Sequence, residues 1–173
     1  RILLFYKYVD LPEPGAILKW QKRLCKKLGL TGRIIIATEG INGTVGGSRE
    51  ATQSYIDAME EHHSFGAIDF KEAAGDETYF PRMRIVIKEE IVRLGVDPHK
   101  LTVKDGGVHL KPSEVHELLN NAPEDLVILD TRNNYESRIG TFTRSITPDI
   151  KTFRELPEYI DKHLDEFKDK KVL

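Results

Sequence analysis

Cysteine is nearly absent from this sequence: Cys25 is the single one in 173 residues. One thiol excludes an internal disulfide framework and fits a reducing compartment. A net charge of either sign is missing too, since 26 Lys and Arg stand against 28 Asp and Glu for a formal charge of -2. Such a balance gives no global attraction to nucleic acid or membrane, so any contact of that kind must come from a local patch. No apolar run approaches the length of a membrane span. There is no internal repeat, no low-complexity segment and no cationic-then-apolar leader. Arg1 runs at once into a strand-like stretch, from which upstream residues are expected to be absent. What remains is 39% hydrophobic and 31% charged. That is globular material, long enough for one large domain or two small ones, and it reads as a cytosolic α/β protein.

The order of elements is more informative. The apolar and aromatic run "ILLFYKYV" predicts a strand over 2–9, closed off by Pro12 and Pro14. A helix is expected from about Ala16 to Leu28, with Ile17, Trp20, Leu24 and Leu28 on one face at helical spacing. "GRIIIATEG" reads as a buried strand, and the Asn42-Gly43 pair in "INGTVGG" favours a tight hairpin turn. Ser48 caps a second helix through about Glu61, with Glu50 in its first turn. "AIDFKEA" predicts a short strand and "RMRIVIKEEIVRLG" a longer one. Two helices on one face of an antiparallel sheet, with one extra strand, make an α+β sandwich.

Composition shifts at "GVDPHKLTVKDGG", whose Pro and Gly content suits a linker. Beyond it Ser113 is expected to cap a helix running to about Asn120. "DLVILDTR" reads as a central parallel strand, because it is continuously apolar and ends in polar residues. "NNYESRIG" follows as a short helix or turn, "TFRELPEYIDKHLDEFKD" as a longer helical stretch, and Lys170-Lys171-Val172-Leu173 as the first residues of another strand. This second module reads as an α/β unit caught partway through a crossover, and therefore incomplete.

Several residues carry possible chemistry. Asp130 and Arg132 sit at the carboxyl end of the predicted parallel strand, where ligand sites of open α/β sheets lie. Two apart on an extended segment, they point the same way, either as an ion pair organising the sheet top or as part of a site. Glycines 40, 43, 46 and 47 in "TEGINGTVGG" let the backbone approach a partner closely, although turn chemistry also explains Asn42-Gly43. The segment matches neither the dinucleotide fingerprint nor the phosphate loop. Glu39, within an otherwise apolar hairpin, is hard to explain by packing. The first helix carries Lys19, Lys22, Arg23, Lys26 and Lys27 with no acid between Gly15 and Thr31, either a solvated face or a phosphate-contacting patch of the kind that binds RNA. Arg82, Arg84 and Lys88 alternate in "FPRMRIVIK" and are expected on one sheet face, a second basic cluster that adds modestly to the case for RNA binding. Cys25 lies beside Leu24 and Leu28 with no neighbouring histidine, which suits a small hydrophobe better than a nucleophile. The histidines at 62, 63, 99, 109, 116 and 163 make no metal spacing.

"ATEGINGTVGG", "YFPRMRIVIKEEIVRLG", "VILDTRNNYESRIGTF" and "TFRELPEYID", in this order, resemble the family of rhodanese-domain tRNA uridine hydroxylases. The resemblance implies an α+β ferredoxin-like (acylphosphatase-like) domain over 1–94, a linker over 95–107 and the N-terminal part of an α/β rhodanese-like domain over 108–173. It implies oxygen-dependent hydroxylation of a wobble uridine, with tRNA as partner, molecular oxygen as co-substrate, and neither metal nor flavin. Asp130, Arg132, Glu136 and Gly140 match residues supporting the family's active-site cysteine loop. That cysteine is expected beyond Leu173, and Cys25 does not match it. Glu39, Gly40, Asn42 and Gly43 match the signature of the first domain. Arg144-Ser145 departs from the family's usual Gly-Ala, which puts the local loop in doubt.

Two readings stand beside a hydroxylase. One is a sulfurtransferase carrying persulfide sulfur from thiosulfate or another donor. The other is a non-catalytic RNA-binding module. The first domain favours the hydroxylase, since simple sulfurtransferases lack it.

Overall fold

The alternation of buried and exposed residues in Ile2–Tyr8 makes that segment a strand with one face in a core, and it forms β1. Four more strands join it: β2 (Thr31–Ala37), β3 (Gly40–Gly46), β4 (Phe70–Ala73) and β5 (Met83–Ile87). In the computed structural model, which describes residues 1–96, 106–121 and 123–173, they build one sheet of order β4-β1-β3-β2-β5. The chain separates into two compact units, Arg1–Val92 and Arg93–Leu173.

The first unit has the expected ferredoxin-like order, with three corrections. The sheet is mixed: β5 pairs with β2 in parallel, while the β1–β3, β1–β4 and β2–β3 pairs are antiparallel. The connectivity requires this, because β1 and β2 run alike against β3 and β4 runs against β1. A chain leaving β4 therefore emerges at the end of the sheet where β2 begins. The long strand expected from Arg82 to Gly95 is also shorter, stopping at Ile87. The third concerns the hairpin. Ala37 pairs directly with Gly40, so Thr38 and Glu39 form the two-residue turn. Asn42-Gly43 lies in the middle of β3, opposite Ile35 and Ile34.

Two helices cover one face of the sheet. The first, α1 (Pro14–Leu28), starts with its proline in the first turn and ends at Gly29, whose φ of 66° is the left-handed conformation that closes a helix. Its most buried residues are Gln21 and Cys25; Ile17, Trp20, Leu24 and Leu28 flank that line and are partly buried. The second, α2 (Arg49–Glu61), is capped by the Ser48 hydroxyl oxygen, which accepts from the Ala51 amide at 3.1 Å. Leu3, Phe5, Ile34, Ile36, Ile41 and Val45 from the sheet meet Cys25, Tyr55 and Met59 from the helices in one core. Gln21 is satisfied within it: the Tyr55 hydroxyl donates to its Oε1 at 2.9 Å, and its Nε2 donates to the Met59 sulfur at 3.0 Å.

In the second unit, α3 (Pro112–Asn121) begins one residue before Ser113, so Ser113 lies in its first turn and is not its cap. Instead, Glu114 Oε2 reaches back to accept from the Lys111 amide at 2.5 Å. β6 (Leu126–Val127) pairs in parallel with β7 (Lys171–Val172), and Leu129 bridges Ile146, also in parallel. "LVILD" is therefore central, as its continuous apolar run predicts. α4 (Asn134–Ser137) follows it. The long helical stretch expected from Thr152 is instead a single 3-10 turn at Phe153–Glu155, then α5 (Leu156–Lys162) and α6 (Leu164–Phe167). The break falls at His163, whose ring Nδ1 lies 2.8 Å from the Tyr159 carbonyl that its own amide also uses. A side chain competing for that backbone acceptor disfavours another regular turn. Most of the 95–107 segment lies outside the described residues. Among the described residues no helix is long and apolar enough to cross a membrane.

Candidate functional site

Asp130 leaves the end of the central strand of the second unit, its amide bonded to the Ile146 carbonyl at 2.9 Å. Arg132 grips its carboxylate with both arms of a fork, Nε to Oδ1 at 2.9 Å and Nη2 to Oδ2 at 2.6 Å. The Arg132 amide adds a bond at 3.2 Å and the Thr141 hydroxyl another at 2.9 Å. The Asp130 side chain is only 9% exposed, against 48% for Arg132. Hydrogen bonding from Arg132, aided by Thr141, holds the Asp130 carboxyl far below the usual carboxylate range against the opposing effect of burial. The carboxylate is thus charged throughout the physiological range, which suits a tether and not a proton carrier.

The tether reaches further along the chain. Arg132 Nη2 also donates to the Gly140 carbonyl at 2.6 Å, tying the strand top to the loop after α4. A side chain at Gly140 would meet nothing within 4 Å, so this position contributes its carbonyl and not its small size. Glu136 serves α4 itself, its carboxylate accepting from the Asn133 amide at 3.2 Å and Asn133 Nδ2 at 2.8 Å. It also lies close enough to Arg132 to favour the guanidinium charge. The structure therefore brings Asp130, Arg132 and Gly140 into one hydrogen-bonded cluster, with Glu136 beside it. Thr141 completes the cluster and was not singled out by the sequence. Within the same loop Arg144 adopts a φ of 66°, the left-handed region, at the position where the sequence departs from Gly.

In the first unit, the signature residues act on their own chain. Glu39 Oε1 accepts from the Ile91 amide at 2.6 Å, and Asn42 Nδ2 donates to the Ile91 carbonyl at 3.1 Å. Both polar groups of a residue 2% exposed are thereby satisfied, and the segment after β5 is strapped to the hairpin. The glycines approach neighbours, as expected, but the neighbours belong to the same unit. A Cβ on Gly40 would fall 2.1 Å from the Lys7 carbonyl oxygen, and one on Gly43 would fall 2.5 Å from the Phe5 ring. Gly46 and Gly47 lie similarly close to Asp76 and Leu30.

The basic residues divide between two surfaces. Lys19, Lys22, Arg23, Lys26 and Lys27 are all exposed on the outer side of α1, and none forms an ion pair among the described residues. Arg84 alternates with buried Ile85 in β5 and so projects from the sheet face that the helices leave open. Arg82 and Lys88, also exposed, flank the strand outside its ends. The two clusters thus occupy opposite layers of the unit instead of one patch. Arg33, outside both basic clusters of the sequence, pairs with Arg84 across the β2–β5 ladder. Its signal was present as the single charge interrupting "GRIIIA". Cys25 is 1% exposed, and burial pushes its thiol up to about 12, so it carries no activated thiolate.

Among proteins of known family, a tRNA uridine(34) hydroxylase from Pseudarthrobacter chlorophenolicus is 42% identical over 99% of this chain and 61% of its own length. Proteins of the same name from Corynebacterium urealyticum and Listeria welshimeri are each 41% identical over all of this chain, covering 60% and 54% of theirs. The chain thus spans a little over half the length of the relatives it matches. The model of the UPF0176 acylphosphatase-like domain matches residues 1–91, all but the last residue of the strapped sheet-and-helix unit. By that match the chain belongs to the UPF0176 acylphosphatase-like domain family.

Proposed function

We propose that the full-length protein carrying this chain hydroxylates the wobble uridine of tRNA in the cytoplasm, with molecular oxygen as co-substrate. The observation that carries this reading is identity of about 40% running through both units to proteins named for that activity. In this reading the first unit holds tRNA, through the α1 stripe of Lys19, Lys22, Arg23, Lys26 and Lys27. Residues 108–173 open a rhodanese-like module. The parallel pairing of β6 with β7, and a polar cluster at the strand's carboxyl end, support that assignment.

The role of the Asp130 cluster is positional. By joining the strand top to Gly140, Asp130 and Arg132 fix the ground beside which a cysteine loop, contributed beyond Leu173, would sit. Successive backbone N–H groups in such a loop lower the pKa of their cysteine and hold an anionic intermediate. The charged stripe supplies affinity without reading sequence, because each phosphate neutralised releases counterions.

The test is nucleoside mass spectrometry on tRNA from cells that lack their own uridine-34 hydroxylase and express the full-length protein. Hydroxylated uridine at the wobble position is the expected product. A folded full-length protein that binds tRNA yet leaves that uridine unmodified would overturn the proposal. The Lys22→Glu, Lys26→Glu double variant is expected to weaken tRNA binding and flatten its dependence on salt.

A further inference from the structure

The sheet face opposite the helices carries a pattern that the proposed function does not use. Following the strand registers across it, Lys71 of β4 stands beside Leu4 of β1, Thr44 of β3, Arg33 of β2 and Arg84 of β5. Tyr6 lies in the next row, opposite Asn42. Leu4 is 44% and Tyr6 50% exposed, and the ring of Tyr6 meets Tyr8 edge-on with centroids 6.4 Å apart. Arg33, Arg84 and Lys71 are exposed as well.

Two features of this row are costly unless something binds there. Arg33 and Arg84 are direct neighbours on adjacent strands of one face, where like charges repel. Neither has an acidic partner among the described residues. Leu4 and Tyr6, two large side chains, are half exposed on the same face, one strand beyond Thr44. The strap held by Glu39 and Asn42 crosses the face from the Tyr8 end as far as Asn42, the neighbour of Tyr6, and leaves the row of Leu4, Thr44, Arg33 and Arg84 uncovered. At the Tyr8 end burial, with Glu39, Tyr6 and Glu90 nearby, pushes the Tyr8 phenol up. Glu39 and Glu90 are thus gathered at that end, Asp69 shares the hollow lined by Leu4, Tyr6 and Lys71, and Arg33 and Arg84 lie apart from all three acids on β2 and β5.

We propose that this open face binds a single-stranded stretch of RNA, with Tyr6 as a stacking platform for a base and the Arg33–Arg84 pair as a seat for the backbone phosphate. A flat sheet bearing an exposed ring suits unstacked bases, whose π-faces any sequence offers, while paired bases keep their faces hidden. A phosphate placed between two guanidiniums turns their repulsion into two charge-assisted contacts. The choice of RNA among polyanions rests on the function proposed above; the stacking and phosphate chemistry rests on the residues alone. This surface lies on the opposite layer from the α1 stripe, so the two make separate contacts with one folded RNA.

The experiment is fluorescence anisotropy with the full-length protein and two labelled RNAs of equal length, one an unstructured strand and one a blunt duplex. Tyr6→Ala is expected to weaken single-strand binding by about 5- to 150-fold, the range of one lost base stack. Duplex binding should stay unchanged, and Tyr6→Phe should restore the affinity. Arg33→Ala and Arg84→Ala should each weaken single-strand binding, and the double variant should lower the salt slope by about 0.7, the single-strand value for one phosphate. Equal losses on both RNAs, or none with Tyr6→Ala, would overturn the proposal. So would a wild-type dimer that Tyr6→Ala converts to monomer, since the face would then be an interface between copies. Wobble-uridine analysis on the same variants separates the two proposals. Continued hydroxylation with no effect of Tyr6→Ala on binding removes this surface alone, whereas strand binding through the face without any modified uridine removes the activity alone.

Discussion

Removing the Glu39 carboxylate would leave the buried Ile91 amide without its acceptor, at a site where water does not readily replace it. Glu39→Ala is therefore expected to destabilise the first unit by roughly 1.5–3 kcal/mol, the worth of a hydrogen bond to a charged group. Glu39→Gln, which keeps a carbonyl oxygen, should lose less. Urea unfolding followed by fluorescence checks this, because the only tryptophan, Trp20, is packed against His62 and Phe65 in that unit. A midpoint unchanged in Glu39→Ala would show that the strap adds nothing to stability. Glu39 was conspicuous in the sequence as an acid in an apolar hairpin. Its partner was not, since Ile91 lies 52 residues away and no local spacing points to it. Asp130 and Arg132 were legible for the opposite reason: they are two residues apart, and extended geometry alone turns both to the same side.

Strands and helices were easier to find than their ends or their faces. β3 was predicted, but with a turn at Asn42-Gly43, because that pair is the strongest local hairpin signal. Packing overrides it. Gly43 stays within the strand because the Phe5 ring occupies the space of a side chain, and Asn42 stays because its amide is engaged by Ile91. The hairpin turns instead at Thr38-Glu39, which carries no such signal. On α1 the buried line runs through Gln21 and Cys25, a polar and a small residue that hydrophobic periodicity does not weight. The loop after α4 offers a direct test of backbone strain. Arg144 holds a left-handed conformation that costs a non-glycine residue about 1–2 kcal/mol. Glycine gives back part of this through its freer unfolded chain, so Arg144→Gly is expected to stabilise the second unit by a net ~0.5–1 kcal/mol. A thermal melt of the variant that shows no gain would mean the Arg144 side chain makes up for its backbone.

The two units differ in how much they bury. The first hides Leu3, Phe5, Ile34, Ile36, Ile41 and Val45 almost completely, whereas the buried hydrophobics described in the second are Ile128, Ile150 and Leu156. Local opening free energies follow such burial. Amides of β2 and β3 are therefore expected to resist hydrogen exchange at least about tenfold longer than those of β6, read peptide by peptide by mass spectrometry. Matched protection in the two units would contradict a stability ledger based on burial. The strap has a further consequence when the protein is made on the ribosome. Glu39 and Asn42 are synthesised well before Ile91, 52 residues after Glu39, so at about 5–20 residues per second the hairpin waits roughly 3–10 s for its last partner. Until then both side chains are open to water, and β5 is held only by its own ladder to β2, which ends with the Lys88 amide on the Ile36 carbonyl. Translation that stops inside β5 yields a sheet that cannot latch, a natural mark by which a protease could tell an unfinished product from a complete one.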